Sequence, residues 1–180
     1  YNNPFVSGAW ADPDLIARLS AIENLVGVKE NAAAGPQWAA LFRAIDPEEV
    51  SMICGLGEEM YPAAAAYGAA GTVSVIANFA PEMVYDLYEA VDGGDRGAFR
   101  ETFERFAPLF EAIGETLERR ESVSILPPTQ RGHPVYTAIG KYGLEYIGRS
   151  GGPVRAPMSN LTDEEKTRLD AAFAAAGIEP

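Results

Sequence analysis

Residues 25–31 read Leu-Val-Gly-Val-Lys-Glu-Asn, a short apolar run that changes abruptly to charged and polar residues. Consecutive apolar side chains are typical of a strand that is buried on both faces. We therefore predict a strand over residues 25–28, with Lys29 as the first residue after it. Two similar runs follow along the chain, and they predict further buried strands over residues 50–54 and 72–75.

Helical patterns separate these three runs. The spacing of apolar residues predicts helices over residues 12–22, 35–45 and 59–67. Asp12 is a residue type that caps helix N-termini, and Pro47 ends the second helix because the residue before a proline disfavours the helical conformation. Strands that alternate with helices indicate a parallel sheet in an α/β protein. The pattern alone leaves two folds open, a doubly wound sheet and a barrel of alternating strands and helices.

The second half of the chain shows helical patterns only. After a helix that begins at Pro81, we predict a helix over 99–117, a proline-rich loop at 127–128, and helices over 134–147 and 162–176. Because no further strand is predicted, we place a domain boundary near Asp92. The predicted domains are residues 1–92, which contain the sheet, and residues 93–180, a helical segment.

The composition limits the class of protein and its partners. The 180 residues are 47% hydrophobic and 22% charged, which is typical of a folded globular protein. The formal net charge of −12 repels phosphate backbones and anionic bilayers, so we predict neither nucleic-acid nor membrane partners. A single cysteine, Cys54, and a single histidine, His133, predict a cytoplasmic chain without a disulfide or a Cys/His zinc site. The start at Tyr1, without Met, predicts a fragment of a longer chain.

Residues that directly follow the predicted strands are the first candidates for a site, because ligands of parallel α/β proteins bind at the carboxyl ends of the strands. These residues are 29–31, 55–58 and 74–78. An amine such as that of Lys29, at the end of an apolar strand, is partly removed from water, and this favours the neutral form. A neutral amine is a nucleophile that forms a Schiff base with a carbonyl compound. The alternative is a lysine that pairs with Glu30 or reaches solvent.

The other candidates each have a second, purely structural explanation. Gly55 allows a ligand to approach the backbone, or it serves a turn. Glu58 accepts hydrogen bonds from substrate hydroxyls, or it stabilises a helix N-terminus. Ser74 directs its hydroxyl into a site or bonds to the backbone, and Tyr1 relays protons or is an exposed terminus. The residues alone leave these alternatives open.

Four segments are informative in combination: Tyr-Asn-Asn-Pro at 1–4, Val-Gly-Val-Lys-Glu at 26–30, Gly55, and Gly-Thr-Val-Ser-Val-Ile-Ala-Asn at 71–78. Together they resemble the dihydrodipicolinate synthase and N-acetylneuraminate lyase family. Residues 155–164 are similar to the C-terminal helical segment of that family. The resemblance implies a (β/α)8 TIM barrel, of which this chain holds only the C-terminal portion with about three strands. An unclosed barrel leaves strand edges without partners, so we expect the 180 residues alone to fold poorly.

The resemblance also implies a chemistry. The family consists of class I, metal-independent enzymes that act on pyruvate and other 2-oxo acids as lyases, aldolases or dehydratases, with no cofactor beyond the covalent imine. By resemblance, Lys29 condenses with the ketone and Tyr1 relays protons. The predicted substrate-binding residues are Asn31, Gly55, Glu58, Val73 and Ser74. The family often forms tetramers, so we expect a homotetramer or a homodimer.

Two departures from the family pattern bear on the substrate. Val6 stands where the synthases have an arginine that holds the carboxylate of aspartate semialdehyde, whereas Glu58 matches a glutamate that the sialic-acid lyases use for sugar hydroxyls. We therefore expect a 2-oxo acid with hydroxyl groups, such as a 2-keto-3-deoxy sugar acid. Dihydrodipicolinate synthesis is the alternative.

Two further hypotheses place the chain in a different class of protein. One is a paralogue that binds a 2-oxo acid without catalysis, but the presence of both Lys29 and Tyr1 favours an enzyme. The other is a doubly wound phosphate-binding protein. That fold requires a glycine-rich loop after the first strand, which residues 30–32 do not supply.

Overall fold

The computed structural model describes residues 1–31, 35–120 and 135–180. The predicted loop at 127–128 lies outside the described residues. By packing, the chain divides into two compact units, Tyr1–Ser74 and Val75–Pro180. The predicted boundary near Asp92 separated sheet from helices, and it falls inside the second unit. The reason is that the helix ending at Asp92 packs against the helix that follows it.

The first unit, in its described part, alternates short helices with strands. In chain order the elements are α1 (Pro4–Ser7), α2 (Pro13–Ser20), β1 (Gly27–Glu30), α3 (Gly35–Ala44), β2 (Ser51–Cys54), α4 (Tyr61–Ala65) and β3 (Gly71–Thr72). The strands form a parallel sheet in the order β1-β2-β3. A helix lies between each strand and the next, as parallel neighbours require. The predicted alternation of strands and helices is confirmed.

Local sequence explains where these elements begin and which side chains they bury. The carboxylate of Asp12 accepts a hydrogen bond from the backbone N–H of Leu15 at 2.8 Å, so it caps α2 as predicted. Along β1, Val28 and Glu30 are buried and Lys29 between them is half-buried. Successive side chains of a strand point to opposite faces, so Lys29 lies on the face opposite to Glu30.

Two strand boundaries differ from the predicted ones. The predicted strand over 25–28 is found at Gly27–Glu30, so Lys29 lies within the strand and not after it. Pairing continues through Glu30, whose carbonyl accepts a hydrogen bond from the N–H of Gly55 at 2.8 Å. The strand predicted over 72–75 ends at Thr72, because the chain turns into a short 3-10 helix at Ile76–Asn78.

The second unit is helical in its described part. After the 3-10 helix come α5 (Pro81–Asp92), α6 (Arg96–Arg119), α7 (Val135–Tyr146) and α8 (Asp163–Ala175). Its core contains side chains with no accessible surface: Leu87, Phe106, Leu109, Ile139 and Leu169. The predicted helices are confirmed, and α8 begins with a capping box between Thr162 and Glu165. No helix in the described part of the chain is both long and apolar enough to cross a membrane.

Candidate active site

The sheet places the amino-terminal residues of the chain beside β1. Asn2 pairs with Glu30 in a parallel bridge on the edge of β1 that β2 does not occupy. The N–H of Asn2 donates to the carbonyl of Lys29 at 2.9 Å, and the N–H of Asn31 donates to the carbonyl of Asn2 at 3.0 Å. These two bonds fix the position of Tyr1 along the strand that carries Lys29.

Lys29 and Tyr1, the two predicted catalytic residues, lie against each other. The Nζ atom of Lys29 is 4.3 Å from the centroid of the Tyr1 ring. At this distance the ring face attracts a cation. The hydroxyl of Tyr1 accepts a hydrogen bond from Nδ2 of Asn3 at 2.5 Å, and 68% of the Tyr1 surface is exposed. The arrangement combines a half-buried amine with an accessible phenol, which are the groups needed for nucleophilic attack and for proton transfer.

Asn31 and Gly55 pack beside the side chain of Lys29. The Nδ2 atom of Asn31 donates to the carbonyl of Gly55 at 3.2 Å, and the Oδ1 atom of Asn31 is buried without a hydrogen-bond partner among the described residues. A Cβ atom at Gly55 would overlap the Asn31 amide and would lie 3.0 Å from Cε of Lys29. Glycine is therefore required at position 55 by close approach.

Glu58 and Ser74 form a second pair of predicted site residues. Glu58 is buried, and its pKa is raised by that burial, although a hydrogen bond with Ser74 opposes the effect. One carboxyl oxygen, Oε1, is buried and has no hydrogen-bond partner in the part of the chain that the structure describes. The burial favours the protonated carboxyl group, which donates as well as accepts hydrogen bonds.

Cys54 lies between the two groups of residues. Burial raises the pKa of its thiol, and smaller effects come from Glu58, which raises the pKa, and from Lys29, which lowers it. Cys54 is therefore within electrostatic reach of both. A buried thiol whose pKa is raised is a weak nucleophile, and this argues against a catalytic role for Cys54.

Val73 lies directly after β3, and its role in substrate binding stays a prediction. Its backbone N–H donates to the carbonyl of Cys54 at 2.8 Å and is thus used by the sheet. Its side chain is 45% exposed. The structure therefore brings Lys29, Tyr1, Asn31 and Gly55 into one group, and Val73 is held at the edge of the sheet.

Three polar residues outside the predicted site hold this group together. Asn2, Asn3 and Glu30 are buried, and they bond to each other or to Tyr1. Glu30 directly follows Lys29, where the sequence suggests it only as a possible partner of that lysine. Asn2 and Asn3 follow no predicted strand, so the position that marks Lys29 as a candidate does not mark them.

Across residues 1–31, 35–120 and 135–180, no three His, Cys, Asp or Glu side chains group closely enough to hold a metal ion. Metal-independent chemistry stays a prediction.

Comparison with known proteins identifies the family. Residues 1–176 match the sequence model of the dihydrodipicolinate synthetase family. This chain belongs to that family. The dihydrodipicolinate synthetase family is one of lyases, and the resemblance drawn from the sequence motifs is confirmed at this level.

Individual relatives of this family member show how much of the protein the chain represents. A 4-hydroxy-tetrahydrodipicolinate synthase of Methanoculleus marisnigri is 33% identical over 167 residues, which are 93% of this chain and 50% of the relative. An uncharacterized DapA-like lyase of Halobacterium salinarum is 32% identical over 179 residues, which are 99% of this chain and 52% of the relative. The chain therefore spans about half the length of the curated relatives it matches.

Solved structures of the dihydrodipicolinate synthetase family share its fold. A dihydrodipicolinate synthase from Aquifex aeolicus superimposes with a TM-score of 0.79 at 21% identity, covering 99% of this chain and 54% of that one. A dihydrodipicolinate synthase from Bacillus clausii gives a TM-score of 0.74 at 25% identity, covering 89% and 50%. This chain has the fold of about half of those proteins.

Proposed function

We propose that this chain is the C-terminal part of a Schiff-base lyase that acts on 2-oxo acids through Lys29. The observation that carries the proposal is the placement of the Lys29 amine 4.3 Å from the Tyr1 ring, at one edge of a parallel sheet. An amine nucleophile next to a phenol supplies the two functions that imine chemistry needs. Membership of a lyase family supports the same reaction class.

The proposal includes a complete barrel, of which this chain supplies part. A parallel sheet of β1, β2 and β3 with connecting helices is consistent with part of a (β/α)8 barrel, and Asn2 stands where the preceding strand ends. We infer that the remaining strands come from chain that precedes Tyr1. In the closed barrel these strands cover the edge at Asn2 and the edge at β3, which would otherwise offer unpaired backbone groups.

The reaction follows from the chemistry of an amine and a carbonyl. The Lys29 amine adds to the ketone carbon of the 2-oxo acid, and loss of water gives an iminium ion bonded to Nζ. In cleavage, the bond between the third and fourth carbon atoms breaks, its electron pair gives the enamine, and the hydroxyl on the fourth carbon loses its proton as the aldehyde forms. Protonation of the enamine and addition of water then release pyruvate. In synthesis, the iminium loses a proton from the third carbon, and the resulting enamine forms the new bond. Tyr1 carries protons to and from the oxygen atoms and carbon atoms involved. The electron sink is the iminium itself, so this route needs no metal or organic cofactor.

Glu58 and Val6 support a hydroxylated substrate. The buried Glu58 carboxyl group has one oxygen without a partner and bonds to Ser74, so it is suited to a substrate hydroxyl. Val6 is 75% exposed and offers no charge to a second carboxylate. We therefore propose a 2-keto-3-deoxy sugar acid, which is cleaved to pyruvate and an aldehyde.

Synthesis of 4-hydroxy-tetrahydrodipicolinate is the second candidate. It is supported by the names of relatives at 28% to 33% identity, from Methanospirillum hungatei and Methanoculleus marisnigri among others. In that reaction the same Lys29 enamine attacks an aldehyde that carries its own amine and carboxylate. A cytoplasmic location and a dimeric or tetrameric state are part of either proposal, and a monomeric dihydrodipicolinate synthase variant is among the solved structures.

An activity assay on the full-length protein distinguishes the two candidates. Pyruvate release from 2-keto-3-deoxy sugar acids is measured beside condensation of pyruvate with aspartate semialdehyde. We expect the first reaction to be faster, and Lys29→Arg to abolish it, while the control variant Lys166→Arg retains it. Faster condensation with aspartate semialdehyde would favour the synthase, and full activity of Lys29→Arg would refute both.

A further inference from the structure

Both polar atoms of the Asn2 side chain form hydrogen bonds. Its Oδ1 atom accepts from the N–H of Ala11 at 2.9 Å, and its Nδ2 atom donates to the carbonyl of Ala11 at 2.8 Å. The same Nδ2 atom donates to Oε2 of Glu30 at 2.7 Å. Asn2 therefore joins three parts of the first unit: the chain terminus, the segment before α2, and β1.

Glu30 is an unusual partner for this amide, because its side chain has no accessible surface. Acidic side chains are almost never fully buried unless they are paired. Glu30 also lies on the face of β1 opposite to Lys29, since neighbouring strand residues point in opposite directions. A direct ion pair with the lysine does not explain the position of Glu30, and the bond from the Asn2 amide is one contact that stabilises its buried carboxylate.

The contacts around Asn2 reach the catalytic pair through the residues on either side. The backbone of Asn2 pairs with β1 on both sides of Glu30. Its N–H donates to the carbonyl of Lys29, and its carbonyl accepts from the N–H of Asn31. Tyr1 precedes Asn2 and lies against Nζ of Lys29, and Asn3 follows and donates to the hydroxyl of Tyr1. A shift of the Asn2 side chain must therefore move the phenol.

We propose that Glu30 is a positioning residue that acts through Asn2 to hold the Tyr1 phenol against Lys29. The proposal rests on the proposed function, in which Tyr1 transfers protons. Glu30 lies on the face of β1 opposite to the amine, so its role in the proposal is indirect. The buried Glu30 carboxylate accepts a hydrogen bond from the Asn2 amide and fixes its position, and Asn2 in turn fixes the position of Tyr1.

Three variants of the full-length protein test this role. Asn2→Asp places two carboxyl groups where the amide and Glu30 now bond. Glu30→Gln combined with Asn2→Asp restores one bond with donor and acceptor exchanged. Asn24→Asp is a matched control, because Asn24 is exposed and lies in the turn before β1.

The decisive measurement is a double-mutant cycle with Tyr1→Phe. We expect Asn2→Asp to lower kcat by about a hundredfold, the cost of a small displacement of a catalytic group, with a much smaller change in KM. In the Tyr1→Phe background the same substitution is expected to cost less than threefold, because the hydroxyl that it displaces is already absent. The exchanged pair is expected to recover at least tenfold, and Asn24→Asp to be unchanged. Equal losses with tyrosine and with phenylalanine at position 1 would show that Asn2 acts apart from the phenol and would overturn the proposal.

Two further readouts keep the outcome clear. Borohydride trapping of a pyruvate adduct on unsubstituted Lys29 reports the proposed function alone, so its failure is separate from failure of the positioning role. Amide hydrogen exchange reports the positioning directly. If Asn2→Asp does not fold, the single variant Glu30→Gln replaces it, and faster exchange of the Asn31 N–H is expected in either variant. Unchanged Asn31 exchange would refute the role of the Glu30 carboxylate.

Discussion

Replacement of Gly55 by alanine is the sharpest steric test of the site. The new Cβ atom would lie 2.9 Å from Cγ of Asn31 and 3.0 Å from Cε of Lys29, and it would overlap the Oδ1 atom of Asn31. Asn31 is buried, and its Nδ2 atom bonds to the carbonyl of the same glycine, so the amide cannot move away without losing that bond. We expect the substitution to displace both side chains.

The size of the effect follows from the packing. Insertion of a methyl group into a well-packed site costs about 1–3 kcal/mol in the free energy of unfolding. We therefore expect Gly55→Ala to lower the free energy of unfolding of the full-length protein by that amount in urea, and to lower its melting temperature in thermal unfolding followed by circular dichroism. In the full-length protein, displacement of Lys29 is also expected to slow adduct formation with pyruvate by about tenfold or more.

Gly71 provides the matched control in the same sheet. A Cβ atom at Gly71 would meet nothing within 4 Å. Alanine there is expected to leave stability unchanged or to raise it by about 0.4–1 kcal/mol, through the lower entropy of the unfolded chain. The double variant Gly55→Ala with Asn31→Ala removes the overlapping amide and is expected to recover most of the lost stability. Equal melting temperatures and equal adduct rates for Gly55→Ala and Gly71→Ala would refute the reasoning.

Three more predictions concern stability and its pH dependence, and each is measured by urea unfolding of the full-length protein. Burial raises the pKa of Glu58 above 4.5, so ionisation of Glu58 lowers the free energy of unfolding as the pH rises. Glu58→Gln, which cannot ionise, should therefore stabilise the protein at about pH 8 and not at about pH 3. Equal effects at both pH values would contradict this. Hydrogen bonds from Arg120 lower the pKa of Glu165 to about 2. The contribution of Glu165 to the free energy of unfolding is therefore present above pH 4.5 and is lost as the pH falls towards 2. Glu165→Gln should cost about 1–3 kcal/mol at neutral pH and less in acid, and a cost that does not change with pH would count against the pairing. Leu87 has no accessible surface, so Leu87→Ala should cost about 2–5 kcal/mol, and a cost below about 1 kcal/mol would be inconsistent with its burial.

Much of the fold was predictable because the local signals are strong and agree with each other. Short apolar runs, Asp12 as a cap and prolines at helix starts placed the elements in the right order. The end of β1 was placed two residues early, since a charged Lys29-Glu30 pair looks like the end of a strand. Pairing with Asn2, which is distant in sequence, keeps Glu30 within the strand, and local pattern cannot show such a partner.

The sequence suggested which residues belong to the candidate site, but it did not show the contacts that position them. The residue types made Lys29 and Tyr1 candidates, and the resemblance of the motifs to a known family selected them. Their contact depends on the bridge between Asn2 and Glu30, which only the folded backbone shows. The burial of Glu58 was likewise not visible in the sequence, because an acid next to a helix start is usually exposed.

The central claim is that Lys29 forms an imine with a 2-oxo acid. The most direct measurement is borohydride reduction of the full-length protein with pyruvate, followed by tryptic mass spectrometry. An adduct on Lys29 blocks cleavage after that residue, so the account predicts a single modified peptide from Leu19 to Arg43 in place of two. If a folded protein instead yields both unmodified peptides, with pyruvate present throughout the reduction, Lys29 is not the nucleophile and the account is wrong.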